Sequence, residues 1–456
     1  IINEECKKNN LFKLLNLLLN TKKESYGEIS LSAIDNLLPQ WLIANFKVIL
    51  KNKISKYMNV KGILNYICFN KIVDIIDKLN TIDIDEYYFK DFILNEQISN
   101  TFLMAILDSK EEVSNLLIDS LKTIFIELNN SDNKYSISFG NNNTFAGKLI
   151  SNKLLDIIND LNTLKNVAII YKIKKNTEQE LLGKALEALN KGKNILFSFI
   201  DTSYNKNNIN NVEYFSNGNR IFENIHSTQK TSNGRMIIAT TTINLSQLSL
   251  KIKNKNKKEF YKELDELLEL VKNELVSIFD NICNKNKNNY RFLFSNNILD
   301  DEKILENQKI RKSIKNGVLN IGLVGIKECA IGLDKENYLD LSLEIIKYIN
   351  KKCNKFTDED KLNFVVSESY DKKALEQLMK LDKTVYGNIE GITNQDVYST
   401  LNKINYSNEM EKELSFFGKM QKLLNGGSIL EIAIPKKLNM SDFIDLRSEE
   451  RRVGKE

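Results

Sequence analysis

One histidine and five cysteines set the limits of the soft-ligand and imidazole chemistry open to this chain. His226 lies in a polar stretch and reads as a solvated loop residue, not as a replacement acid or base. Cys6, Cys68, Cys283, Cys329 and Cys353 form no CxxC pair, so neither a zinc knuckle nor a disulfide framework is indicated, and a reducing cytoplasm fits best. Cys329, beside Glu328 at the end of an apolar run, reads as buried core. What remains is polar and rich in hydroxyls. Gly218, Asn219 and Arg220 stand in NGNRIF, and the β-branched run of GRMIIATTTINLSQLSL carries Asn244 near its end. Gly322 and Gly325, in NGVLNIGLVGIKE, would let a backbone or ligand come close. Ser369, in NFVVSESYDKK, offers a hydroxyl between Glu368 and Asp371, with Lys372 and Lys373 following. A loop that enters a buried strand is where a barrel enzyme holds its chemistry, and residues 217–250 have that form.

The elements that must position these residues follow from periodicity. Residues 1–130 are mainly helical in pattern, with stripes such as Leu11, Leu14, Leu15 and Leu18, then Leu116, Leu117, Leu121 and Ile124. From 131 the character changes. YSISFGNNNTFAGKLI predicts a strand, a turn and a helix capped by Thr144, while NVAIIYK and NILFSFID predict further buried strands around a helix at 177–190. Residues 233–245 predict a buried strand, and 257–283 an amphipathic outer helix with Phe260, Leu264, Leu267, Leu268, Val271, Leu275, Ile278 and Phe279 on one stripe. A strand at 316–328, a helix at 337–353, a strand at 362–367 and a Gly-Gly turn before a strand at 424–435 complete an alternating α/β core over 131–436. Residues 437–456 read as a tail unrelated to that core. With 65 Lys and Arg against 60 Asp and Glu, spread through every segment, no basic face stands out for nucleic acid. No apolar run approaches the roughly 20 residues needed to cross a bilayer. The opening Ile1, without Met or leader, reads as the start of a fragment.

Taken in order, SFGNNNTFAGKLI, GRMIIATTTINLSQLSL, FYKELDELLELVKNEL, NGVLNIGLVGIKEC, LSLEIIKYINKKCNKF, GNIEGITNQDVYS and KLLNGGSILEIAI resemble the large subunit of class III anaerobic ribonucleoside-triphosphate reductase, a glycyl radical enzyme. The resemblance is collinear over about residues 135–435 and implies a divergent, truncated member. It implies a ten-stranded α/β barrel pierced by a finger loop, preceded by the helical region 1–130. It further implies a loop-tip cysteine whose thiyl radical removes hydrogen from the ribose 3′ carbon. The aligned residues are Gly218, Asn219 and Arg220, so the cysteine is replaced by Asn219. A thiol exchanges its hydrogen atom nearly thermoneutrally with a carbon radical, whereas an amide has no comparably weak bond.

Asn244 matches the family's sugar-binding asparagine. Ser369 falls in the family's phosphate-binding segment at a helix N-terminus, though Tyr370 stands where the family has Pro and Glu368 and Asp371 bring negative charge. Ser399, Thr400, Leu401 and Asn402 replace the family's Asn-Ser-X-His, and Ser428 replaces the His after Gly-Gly. The cofactors implied by the resemblance are a glycyl radical, a radical-SAM activase and zinc in a C-terminal module, but this chain carries none of their residues. Gly454 only echoes the radical loop. Two readings follow. The chain is a fragment of a divergent reductase, or a catalytically inactive paralogue that binds nucleoside triphosphates or a partner, such as an active paralogue or a second copy in a homodimer, with no part for nucleic acid or membrane.

Overall fold

The computed structural model describes residues 11–25, 27–62, 69–162, 164–201, 212–221, 224–226, 232, 234–252, 256–299, 304–305, 307–399, 403–405, 411–433 and 437–445. The chain divides into two compact units, Ile1–Ser198 and Phe199–Glu456.

In the first unit, Pro39 opens the helix Pro39–Val60, a position where its missing N–H costs nothing. Asn95 caps the helix Glu96–Asn130 by accepting from the Ile98 N–H at 3.0 Å. The two helices pack through Phe46, Leu50 and Ile54 on one and Phe102, Val113, Leu117 and Leu121 on the other, all fully buried. Leu116 turns away from this face and is 40% exposed, because a 3.6-residue turn cannot hold both Leu116 and Leu117 on one stripe. A four-stranded sheet runs β1 (Ile29–Leu31), β2 (Tyr135–Phe139), β3 (Val167–Ile173), β4 (Ile195–Phe199), with β1–β2 and β2–β3 parallel. The mostly helical N-terminal region thus lends one short strand to the sheet. The helices Phe145–Asp160 and Gln179–Asn190 make the crossovers, and Thr144 Oγ1 caps the first by accepting from the Gly147 N–H at 3.1 Å.

In the second unit, a short antiparallel hairpin, β5 (Glu213–Tyr214) with β6 (Arg220–Ile221), precedes three parallel strands, β7 (Ile237–Asn244), β8 (Val318–Val324) and β9 (Asn363–Glu368). A parallel pair, β10 (Lys403–Asn405) with β11 (Glu431–Ala433), lies near the end. Period-2 alternation gives β7–β9 two unlike faces. Ile243, Leu319, Ile321, Leu323, Phe364 and Val366 form the apolar one. It packs against Phe260, Leu264, Leu268 and Phe279 of the helix Lys257–Cys283 and Ile345, Ile346 and Phe356 of the helix Tyr338–Asp360. Lys272 joins the far ends of those helices through Glu359 at 3.0 Å and Asp360 at 3.3 Å. No described helix is long and apolar enough to cross a membrane.

Leu268 lies at the centre of that cluster, fully buried. Leu268→Ala should cost about 2–5 kcal/mol in a urea denaturation series, the range for a large-to-small change that leaves a cavity. A loss below about 1 kcal/mol would mean that the helix is not packed as described.

Candidate functional site

The opposite face of β7–β9 is polar. Register pairs Thr240 with Asn320 and Thr242 with Gly322, and places Ser367 beside Gly322. Asn320 Nδ2 donates to Ser367 Oγ at 2.9 Å and lies 3.3 Å from Thr240 Oγ1, crossing all three strands. Asn320 Oδ1 is buried without a hydrogen-bond partner among the described residues. A Cβ on Gly322 would come within 3.0 Å of Thr242 Oγ1, so this glycine keeps the threonine hydroxyl clear. The strand expected at 233–245 begins at Ile237. It is less buried than its β-branched composition suggests, since Thr240 and Thr242 are exposed while Ile243 is buried.

The β5–β6 hairpin packs onto this face through Ile221, which meets Val318 and Val365. Its tip is held mostly through backbone groups. The Gly218 N–H donates to the Phe215 carbonyl at 2.9 Å, the Phe215 N–H to the Asn219 carbonyl at 2.8 Å, and the Asn219 N–H to Asn217 Oδ1 at 3.1 Å. Asn219 is 8% exposed, and its carboxamide makes no hydrogen bond among the described residues. Arg220 is anchored twice, its backbone N–H to the Gly426 carbonyl at 2.8 Å and its Nε to the Asn425 carbonyl at 3.1 Å. The Gly-Gly turn is in turn fixed to β9. The Gly426 N–H donates to the Val366 carbonyl at 2.7 Å, and Asn425 Oδ1 accepts from the Val366 N–H at 2.9 Å. Gly427 has φ 114°, and a Cβ there would lie 2.1 Å from the Gly218 carbonyl oxygen and 2.9 Å from Asn219 Cα. Gly218, at φ 78°, is equally confined, with Ile429 Cγ1 2.4 Å from where its Cβ would be. The tip and the turn can therefore meet only as glycines.

At the C-terminal ends of β7 and β8 the chemistry is carboxylate-centred. Asn244 Oδ1 caps the helix Leu245–Lys251 by accepting from the Gln247 N–H at 3.2 Å, and Asn244 Nδ2 donates to Asp382 at 2.5 Å. Asp382 is fully buried and also accepts from Gln247 Nε2 at 2.9 Å and from the Tyr398 hydroxyl. Both ends of the Asn244 amide are thus already engaged within the protein. Gly325, at φ 65°, opens the helix Ile326–Leu333, and a Cβ there would lie 2.8 Å from Ser246 Cβ and 3.2 Å from the Tyr398 ring. Glu328 is 2% exposed and accepts from the Ser399 N–H at 2.9 Å and from the Ser399 hydroxyl, while its Oε2 has no hydrogen-bond partner among the described residues. Burial pushes its carboxyl above the usual carboxylate range, against the lowering effect of the Ser399 hydrogen bonds.

At the end of β9, the Ser369 N–H donates to the Leu323 carbonyl at 2.9 Å. The next helix, Lys372–Tyr386, starts with its own carboxylate in place. Asp371 Oδ1 accepts from the Lys373 N–H at 3.1 Å and the Ala374 N–H at 3.4 Å. The donors that would meet a phosphate are therefore taken by Asp371. The Tyr370 hydroxyl lies 2.9 Å from Glu368 Oε2 and accepts from the Ile429 N–H at 2.7 Å, which ties this end of β9 to the segment after the Gly-Gly turn.

The structure thus brings Gly218, Asn219, Arg220 and Gly322 onto or against one polar face, and sets Asn244, Gly325 and Ser369 at the strand ends. Asn320, Thr240, Thr242, Ser367, Asp382 and Glu328 were not singled out from the sequence. Alternation in LNIGL could have found Asn320, which shares a face with Gly322, whereas Asp382 is one charge among several on an ordinary amphipathic helix. Cys283, Cys329 and Cys353 are buried, with desolvation raising the Cys283 thiol to about 11 and the other two further. His226 is half-buried, its N–H donating to Asn224 Oδ1 at 3.0 Å. Among the described residues no three His, Cys, Asp or Glu side chains converge as a metal site would require. The zinc that the resemblance implies would sit in a C-terminal module, apart from the residues of this site. Cys6, Cys68, Thr400–Asn402 and Gly454 lie outside the described residues.

Comparison with known proteins agrees with this arrangement. A family model described as anaerobic ribonucleoside-triphosphate reductase matches residues 135–448. A curated Haemophilus influenzae protein of that description is 21% identical over 196 residues, which is 41% of this chain and 27% of that protein. The structure of Thermotoga maritima anaerobic ribonucleotide reductase in complex with dATP and CTP aligns with a TM-score of 0.59 at 12% identity, covering 97% of this chain and 67% of that one. The same enzyme with MES in the active site gives 0.57 at 11% identity, with the same coverage. At such identities the likeness carries the fold, a glycyl-radical-enzyme-like α/β fold behind a mainly helical N-terminal region.

Gly427→Ala should push the turn away from the hairpin tip and destabilise the chain by about 2 kcal/mol in chemical denaturation. An unchanged midpoint would contradict the close approach. Glu328 gives a pH signature. Its native pKa is raised, so its stabilising contribution is full below the unfolded value near 4.5 and is lost as pH rises through the raised native value. Glu328→Gln should flatten that part of the stability–pH curve, measured between about pH 4 and pH 8. A variant with the wild-type slope would show that Glu328 does not contribute it.

Proposed function

The chain belongs to the anaerobic ribonucleoside-triphosphate reductase family, and on that premise we propose that it holds a nucleoside triphosphate at the polar face of β7–β9 without reducing it. The observation that carries this reading is Asn219. Its backbone is fixed at the hairpin tip against the Gly-Gly turn, the side chain there is a carboxamide, and no described thiol replaces it. The tip presents a hydrogen-bonding group where reduction of a ribose would need an S–H bond. An amide can donate to and accept from the hydroxyls of a sugar, and the exposed Thr240 and Thr242 hydroxyls offer the same chemistry from the strand. The Thermotoga maritima relative in complex with dATP and CTP supports nucleotide as the ligand class. The Asp371 cap and the buried Glu368 reduce the attraction for phosphate, so Lys372 and Lys373 must supply the positive charge.

Such a chain acts as a regulator, taking nucleotide from solution or pairing with an active paralogue and its radical-SAM activase. Where a longer protein supplies the glycyl radical loop, the loop would still meet Asn219 in place of a thiol.

The chain incubated anaerobically with activase, reductant and ribonucleoside triphosphate should give no glycyl radical signal and no deoxynucleotide, while nucleotide at about 100 times its dissociation constant should stabilise the fold by roughly 2.7 kcal/mol. Deoxynucleotide formation would overturn the non-reducing part. No thermal shift with any nucleoside triphosphate would overturn the binding part.

A further inference from the structure

The two long helices that cover the apolar face of β7–β9 leave an open groove on their outer side. It has a volume of about 560 Å³ and is lined by Lys258, Tyr261, Glu344, Lys347, Tyr348 and Lys351, none of which belongs to the site described above. Most lysines along these helices have a counter-charge. Lys257 meets Asp334 at 3.2 Å, Lys272 meets Glu359 at 3.0 Å, and Lys352 meets Asp265 at 2.8 Å. Lys258, Lys347 and Lys351 have no ion-pair partner among the described residues, yet they converge on one concave surface with Glu344 as its one carboxylate.

The floor between these ammonium groups is aromatic. The Tyr261 and Tyr348 rings lie 4.7 Å apart between centroids at 51°, and each is fixed by its hydroxyl, Tyr261 to Glu344 Oε1 at 2.8 Å and Tyr348 to Asp265 Oδ1 at 2.7 Å. Lys352 lies 5.7 Å over the Tyr348 ring from its paired position. Rings held by their hydroxyls keep their orientation without a ligand, so little ordering remains when a flat molecule stacks on them. Unpaired lysines around such rings supply the point charges that a phosphate needs.

We propose that this groove binds a phosphorylated molecule bearing a flat aromatic ring, a nucleoside phosphate by chemical class, with the ring on Tyr261 or Tyr348 and the phosphate among Lys258, Lys347 and Lys351. The groove is open and lies on the helices' outer side, so it is a binding site and not a place for chemistry that must exclude water.

The test is equilibrium dialysis of the full chain at low salt with adenosine monophosphate, adenosine, ribose 5-phosphate and inorganic triphosphate as separate probes. Adenosine monophosphate should bind at least tenfold more tightly than adenosine or ribose 5-phosphate, because only it engages rings and lysines together. The double variant Lys347→Glu, Lys351→Glu should lose at least tenfold in that affinity. Both positions are exposed, so the variant should keep the wild-type melting temperature. Lys262→Glu with Lys355→Glu, an equal charge reversal on the same two helices outside the groove, should leave binding nearly unchanged. Equal binding by the Lys347, Lys351 variant, equal losses in both double variants, or binding of inorganic triphosphate as tight as that of the nucleotide would each overturn the proposal. Thr242→Val separates this site from the sheet face, since it touches no groove residue. A loss with Thr242→Val and none with the groove variant would place the ligand on β7–β9 and overturn the groove assignment.

Discussion

The contact between the Gly427 backbone and the hairpin tip is the constraint on which the second unit's site depends. With the Gly218 carbonyl oxygen 2.1 Å from where a Cβ of Gly427 would stand, neither side of the contact has room for a side chain. The approach sets the height of Asn219 over the sheet, and the pair of bonds from Arg220 to residues 425 and 426 sets its direction. Because Asn425 and Gly426 are themselves bonded to Val366, the position of the tip is referred to the central part of β9 and not to a free loop. A loop held in this way takes its geometry from Gly218, Arg220 and Gly427 more than from the side chain at position 219.

A second constraint works from below the strand ends. Asp382 is fully buried and accepts from Asn244, Gln247 and Tyr398, drawing the end of β7, the start of the following helix and the 398–399 segment onto one carboxylate. Three donors compensate for the desolvation of that charge, and in return the three segments have little freedom to shift independently. Asn244 is thereby a member of a structural network as well as a strand-end residue.

Much of the fold was legible in the sequence because it depends on local patterns. The outer helix at 257–283 appears with those bounds, Thr144 caps the helix after β2, and the GG dipeptide marks a turn between a helix and β11. The strand behind the hairpin could be placed but not its polar face, since three consecutive threonines, Thr240 to Thr242, do not show which of them point outward. The contacts of the site's remaining members could not be read. Asn320 is buried in an apolar run, and its partners Thr240 and Ser367 come from other strands, so only register reveals the ladder. Asp382 and Glu328 carry their meaning through burial, which a charged residue on a helix does not announce. The short strand Ile29–Leu31 was hidden because three residues are too few to show a period.

The bond from Arg220 to Asn425 also bears on the order of assembly, since it joins residues 205 apart in the chain. Closing so large a loop is entropically costly until the intervening strands and helices have compacted it. The hairpin can form its own turn early from neighbouring residues, but it can find its docking place only after β9 and the segment 425–427 are in position. The tip is thus among the last parts of the unit to reach its native surroundings, and a chain interrupted before residue 425 would keep the Ile221 contact with the sheet but lack the turn that fixes the tip.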